Sequence, residues 1–198
     1  MEALLREMEL YAREHHVPII NERGRTVFLR VLQEQKPHRV LEIGTAIGYS
    51  ALLMAEHAAA DVEITTLELS EERAELARGY WKRSAFADRM RLLTGDAGVR
   101  LAELSGPFDF VFIDAAKGQY ADYFRKILPL LSPQAVVLAD NVLFRGYVMG
   151  GVPVPRRFRT IAKRLREYIE LVRHTPGFQT EIFENGDGLA VSRRIQND

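Results

Sequence analysis

Five short apolar runs recur between residues 39 and 140, at Arg39–Ile43, Val62–Glu68, Arg91–Thr94, Phe108–Asp114 and Ala135–Asp140, with a helical stretch between each and the next. Such a run, apolar on consecutive positions, reads as a strand buried on both faces. Strands joined through helices run parallel, because only a crossover of a dozen or more residues returns the chain in the same direction. The pattern therefore predicts an α/β chain with a doubly wound sheet. Two helices precede it, at Glu2–Glu14 and Glu22–Gln35; the second carries Val27, Phe28, Val31 and Leu32 on one face and stops before Pro37. A long loop (Val142–Pro155) and a helix to about Arg173 lead to GFQTEIFENGDGLAVSRR, which reads as a hairpin around Asn185-Gly186-Asp187-Gly188. The expectation is a Rossmann-like, mostly parallel seven-stranded sheet with an antiparallel C-terminal hairpin strand. The 198 residues are read as one domain, with helices in 1–36 covering the end that takes a ligand.

Charge narrows the class of partner. The 27 Lys and Arg balance 27 Asp and Glu, so no global field draws the chain to a polyanion, and any such contact needs a local patch. Cysteine is absent, which excludes disulfides, thiolate metal sites and a cysteine nucleophile. The segment MEALLREMELYAREHH is acidic and amphipathic, without the apolar core of a signal peptide, and no membrane-length run follows it. We expect a soluble, cytoplasmic protein with no membrane partner, and a homodimer through the apolar N-terminal helices.

In open α/β sheets ligands bind beyond the carboxyl ends of the strands. Glu42-x-Gly44-x-x-x-Gly48 forms the first turn: its glycines allow close backbone approach, and the helix starting near Tyr49-Ser50 offers free N–H groups to a carboxylate. Glu68 ends the second run and suits paired ribose hydroxyls; Asp96, in TGDA, follows the third and suits an adenine edge. A bare glycine turn or a solvated, helix-capping acid explains each alone, but not all three after successive strands. The middle glycine of a dinucleotide fingerprint is missing, so pyrophosphate has no cradle, and S-adenosylmethionine fits better.

At the next two strand ends Asp114 and the pair Asp140-Asn141 bring three hard oxygen ligands together. Adjacent strands lie about 4.8 Å apart, within reach of one ion. Such a set suits Mg2+, or Mn2+, with positions left for water and substrate. Singly, each residue reads as a cap or turn. Lys117, three residues after Asp114, is a candidate general base, although a lone lysine at a helix start is usually just solvated. A substrate with oxygens on neighbouring carbons would chelate the ion, as catechols do and as a 5-hydroxyuracil ring does.

LEIGTAIGYS, FIDAAKGQY and DNVLFRG resemble the cofactor loop and the two metal segments of the metal-dependent O-methyltransferases of the catechol and caffeoyl-CoA type, over nearly the whole chain. The resemblance implies a cofactor site lined by Ile20, Ser50, Glu68, Asp96, Ala97 and Asp114, an ion on Asp114, Asp140 and Asn141, and Lys117 as base. Within that family YAREHHVPII and NGDGLAVS look closest to the bacterial tRNA methyltransferases that convert wobble 5-hydroxyuridine to 5-methoxyuridine. Arg156, Arg159, Lys163 and Arg166 follow helical spacing, broadened by Arg157 and Arg164, and would form a stripe able to track phosphates; Arg145 is the best single candidate for an anticodon contact. A solvated amphipathic helix explains the stripe equally well. The loop Met149-Gly150-Gly151-Val152-Pro153 is less polar than in those relatives. A small catechol-like substrate is the competing reading.

Overall fold

The structure is a computed structural model that describes residues 1–184 and 186–195. Seven strands, β1 (Arg39–Ile43), β2 (Glu63–Glu68), β3 (Met90–Thr94), β4 (Phe108–Ile113), β5 (Leu131–Asp140), β6 (Phe178–Phe183) and β7 (Leu189–Arg194), form one sheet in the order β3-β2-β1-β4-β5-β7-β6. The first five are parallel. Only β7 is reversed, between β5 and β6. The helices are α1 (Glu2–Glu14), α2 (Glu22–Gln35), α3 (Tyr49–His57), α4 (Glu71–Trp81), the single turn α5 (Ala97–Arg100), α6 (Tyr120–Ile127) and α7 (Arg159–His174).

Strand side chains alternate between faces, and each face is buried against helices. Val40, Phe110, Phe112, Val136, Leu138 and Val191 pack with α1 to α4, where Phe28 lies 4.9 Å from Phe112 between ring centroids. Leu41, Ile43, Val111, Ile113, Val137 and Ala139 pack with Tyr123, Phe124 and Ile127 of α6 and with Leu165, Tyr168 and Val172 of α7. Burial on both sides is what made these strands predominantly apolar. Among the described residues no helix is long and apolar enough to cross a membrane.

The expected ends of β2, β3 and β4 each shift by one residue. β5 begins at Leu131 rather than Ala135: its pairing with β4 jumps from Phe108↔Leu131 to Phe110↔Val136, an irregularity that accommodates Pro133, which has no N–H for the ladder. The hairpin forms as expected, although Asn185, which opens its expected turn, lies outside the described residues.

Candidate active site

The carboxyl ends of the parallel strands open onto a cavity of about 390 Å3. The turn after β1 contributes Gly44, Thr45 and Ala46, and the start of α3 adds Tyr49 and Ser50. Glu68 and Leu69 close β2, Gly95-Asp96-Ala97 follow β3, and Asp114 to Lys117 follow β4. Asn141 stands after β5, while Pro18, Ile19 and Ile20, from the link between α1 and α2, form a wall. The cavity thus brings together Ile20, Gly44, Ser50, Glu68, Asp96, Ala97, Asp114, Lys117 and Asn141 of the residues singled out in the sequence.

Glu42, Gly48 and Asp140 are not on its surface. Gly44 (φ +99°) is required where the turn meets the backbone of Asp114, whose carbonyl oxygen any side chain there would strike. Gly48 faces Trp81 rather than a ligand: the indole N–H donates to its carbonyl oxygen at 3.1 Å, and a side chain at 48 would displace the ring. Glu42 is fully buried beneath the floor. One of its carboxylate oxygens accepts from the Ser50 hydroxyl, and the other has no partner among the described residues. Burial pushes this carboxyl up to about 8; the Ser50 bond opposes that rise, and the charges of Asp114 and Glu68 add to it.

Glu68 ties two loops together, accepting from the Ala46 N–H at 2.8 Å and the Ser70 N–H at 2.9 Å. Asp96 does what a capping acid does, accepting from the Val99 N–H at 3.2 Å at the start of α5. Asp114 does not cap a helix. Its own N–H donates to Ile43 at 2.9 Å, and its carboxylate lies 4.0 Å from the Lys117 ammonium. Asp140, 3% exposed, accepts from the N–H of Asn141 at 2.7 Å. Burial raises the carboxyls of both Asp114 and Asp140; at Asp140 the charge of Asp114 adds to the rise, and Lys117 opposes it at both. One buried acid, Asp140, and one half-buried acid, Asp114, face a single ammonium. That leaves uncompensated negative charge beside an amide oxygen, a donor set that suits a hard divalent cation. Among the described residues no group of three His, Cys, Asp or Glu side chains is gathered in metal-binding geometry; the set here has two acids and an amide.

Leu69, Arg73, Gln119 and Tyr123 also line the cavity and went unread in the sequence. Leu69 had a signal: an apolar residue directly after a strand-ending acid, left 73% exposed. The arginines Arg145, Arg156, Arg157 and Arg159 lie outside the cavity. Of the expected stripe, Arg159, Lys163, Arg164 and Arg166 lie on α7, whereas Arg156 and Arg157 fall in the 3-10 turn Arg156–Phe158 before it, with three residues per turn rather than 3.6. Lys163 and Arg164 pair with Glu167 at 3.9 and 3.3 Å, and Arg166 donates to the carbonyls of Tyr147 (2.6 Å) and Val148 (2.9 Å). Arg145 and Arg157 instead stack over Phe158, at 5.4 and 4.6 Å from its centroid.

A doubly wound sheet with one reversed strand, and a cavity across its carboxyl edge with an acid at the end of β2 on one side and paired acids on the other, is the architecture of the Rossmann-like methyltransferases. The O-methyltransferase family matches residues 2–195, and the chain belongs to it. A catechol O-methyltransferase of Mycobacterium tuberculosis is 39% identical over 112 residues, 56% of this chain and 51% of that protein. A caffeoyl-CoA O-methyltransferase of Eucalyptus gunnii is 28% identical over 79% of this chain and 66% of its own length. The chain thus spans about half to two thirds of these curated relatives. Among solved structures, an O-methyltransferase from Bacillus cereus in complex with SAH superposes with a TM-score of 0.85 at 27% identity, covering 97% of this chain and 90% of that one.

Proposed function

We propose that the protein moves a methyl group from S-adenosylmethionine to a hydroxyl oxygen whose neighbouring carbon bears a second oxygen, with a divalent ion, Mg2+ or Mn2+, held by Asp114, Asp140 and Asn141. The observation that carries this is the single cavity in which Ser50, Glu68 and Asp96 stand on one side and Asp114, Lys117 and Asn141 on the other. Donor and acceptor would meet over Asp114.

In this reading Glu68 accepts from the ribose hydroxyls, Asp96 and Ala97 border the adenine, and the amino end of α3 with Ser50 receives the carboxylate. Glu42 holds the Ser50 hydroxyl from below. Gly44 lets the turn sit against the backbone of Asp114, while Ile20 and its neighbours exclude water. The bound ion supplies acidification of the acceptor hydroxyl at neutral pH. Lys117, in its free-amine form, would take the hydroxyl proton at Nζ and so become the ammonium that faces Asp114, while the walls hold oxygen, methyl carbon and sulfur in line. The whole of residues 1–198 would act as one methyltransferase domain, with the N-terminal helices over the cofactor end.

The likeness to catechol and caffeoyl-CoA enzymes favours a small aromatic diol as acceptor. A second reading, 5-hydroxyuridine at the wobble position of tRNA, is favoured by Arg145, Arg156, Arg157 and Arg159, which are exposed and whose guanidinium groups pair with no carboxylate among the described residues. Paired assays separate the two. If RNA is the substrate, Ala at 156, 157 and 159 should raise the KM for tRNA and flatten its salt dependence, by roughly one unit of slope per lost phosphate contact, and leave catechol turnover alone. Rapid turnover of catechols with no methylation of tRNA carrying 5-hydroxyuridine would exclude the RNA reading.

A further inference from the structure

The peptide that joins Asp140 to Asn141 is held at both of its polar atoms. Its N–H donates to the Asp140 carboxylate at 2.7 Å, and its carbonyl oxygen accepts from the Tyr120 hydroxyl at 3.0 Å. Asn141 sits at φ +56°, in the left-handed region, where a residue other than glycine persists only when its surroundings enforce it. Tyr120 is fully buried at the start of α6, with its ring edge-on to Tyr168 at 5.5 Å between centroids. The ladder between β4 and β5 ends at Ile113↔Ala139, one residue short of Asp114 on one strand and of Asp140 on the other. Beyond that point the Tyr120 hydroxyl links the segment that carries Asp114 and Lys117 to the segment that carries Asp140 and Asn141.

We propose that Tyr120 is a positioning residue: through the Asp140–Asn141 peptide it fixes the placement of these two side chains against Asp114, and thereby the strength of divalent-ion binding. This rests on the assignment of Asp114, Asp140 and Asn141 as ligands. Tyr168 provides a control in the same aromatic layer, since its hydroxyl is buried and has no partner among the described residues.

The test is a Mn2+ titration followed by electron paramagnetic resonance, with saturating S-adenosylhomocysteine. It compares the natural protein with Tyr120→Phe, Tyr168→Phe, Asp140→Ala, Asn141→Ala and the double variant Tyr120→Phe/Asn141→Ala. Tyr120→Phe should weaken Mn2+ by about 10- to 100-fold, as loss of a hydrogen bond behind a ligand does, with S-adenosylhomocysteine affinity and melting unchanged. Tyr168→Phe should bind Mn2+ like the natural protein. The double variant should lose less than the product of the two single losses, because part of the Tyr120 effect is carried by the Asn141 side chain. Natural Mn2+ affinity in Tyr120→Phe, with affinity lost in Asp140→Ala, would overturn the role of Tyr120 and leave the metal assignment standing. Loss of S-adenosylhomocysteine affinity in Tyr120→Phe along with Mn2+ would make Tyr120 merely structural and overturn it too. If the natural protein binds no Mn2+, or Asp140→Ala binds it as tightly, the metal assignment falls and the inference with it.

Discussion

Glu42 carries a carboxyl with one oxygen unpartnered in the core, and the cost of its charge depends on pH. Its folded-state pKa, about 8, stands above the ordinary 4.5, so the folded chain holds this proton more tightly than the unfolded one. The group's contribution to stability is therefore fullest below about 4.5 and is lost as pH rises to about 8. Glu42→Gln keeps an acceptor for Ser50 and removes the titration. Its gain over the natural protein, measured by urea midpoints in chelator, should grow through that window to on the order of 4 kcal/mol. A difference that does not change with pH would mean that Glu42 is not the titrating group. At Glu68, removal of the carboxylate should weaken S-adenosylmethionine by about 1–3 kcal/mol in calorimetry, through lost charge-assisted hydrogen bonds. Unchanged affinity in a folded Glu68→Ala would take this residue out of the cofactor site.

The hairpin of β6 and β7 reaches the site through its turn. The carbonyls of Gly188 and Asp187 accept from the N–H groups of Val142 (3.1 Å) and Leu143 (2.8 Å), so the turn grips the chain directly after Asn141. Gly188 sits at φ +83° against the Leu143 side chain. Gly188→Ala should therefore cost about 1–3 kcal/mol in the urea midpoint from backbone strain and overpacking, and should also weaken Mn2+ binding. A stability loss that leaves Mn2+ binding untouched would show the grip to be irrelevant to the ligands. On the far face, Phe28 is fully buried against Phe110 and Phe112; Phe28→Ala should cost about 3–5 kcal/mol without altering Mn2+ affinity in protein that remains folded. These elements differed in how openly they read. Strands β1, β2 and β4 were legible because burial on both faces leaves short, mostly apolar or β-branched runs between the helices, and α2 because one helical face carries its apolar residues. The first half of β5 was hidden by Pro133, which marks an irregularity only when the partner strand is known. The pairing of Gly48 with Trp81 spans 33 residues, and the Tyr120 bond ends on a main-chain carbonyl. Neither contact leaves a local pattern. The arginine stripe was legible within α7, but at Arg156 and Arg157 helical spacing was counted across a 3-10 turn.

At the scale of the whole molecule, the proposed function places one reaction along one sheet edge: a nucleoside methyl donor between the β1, β2 and β3 ends, an ion and acceptor at the β4 and β5 ends, and the N-terminal segment as a wall. S-Adenosylmethionine should accordingly raise the melting temperature in proportion to the logarithm of its concentration above Kd, and Glu68→Ala should blunt that rise in thermal scans. Turnover itself is decisive. Exhaustively chelated protein is incubated with S-adenosylmethionine and a simple catechol, and in parallel with tRNA carrying 5-hydroxyuridine; methyl ethers are then counted by mass spectrometry before and after Mg2+ or Mn2+ is restored. The account predicts no methyl ether in chelator, return of the product on one of the two acceptors with the ion, and no return in Asp140→Ala. Undiminished methylation in the chelated protein, or full activity of Asp140→Ala, would contradict it.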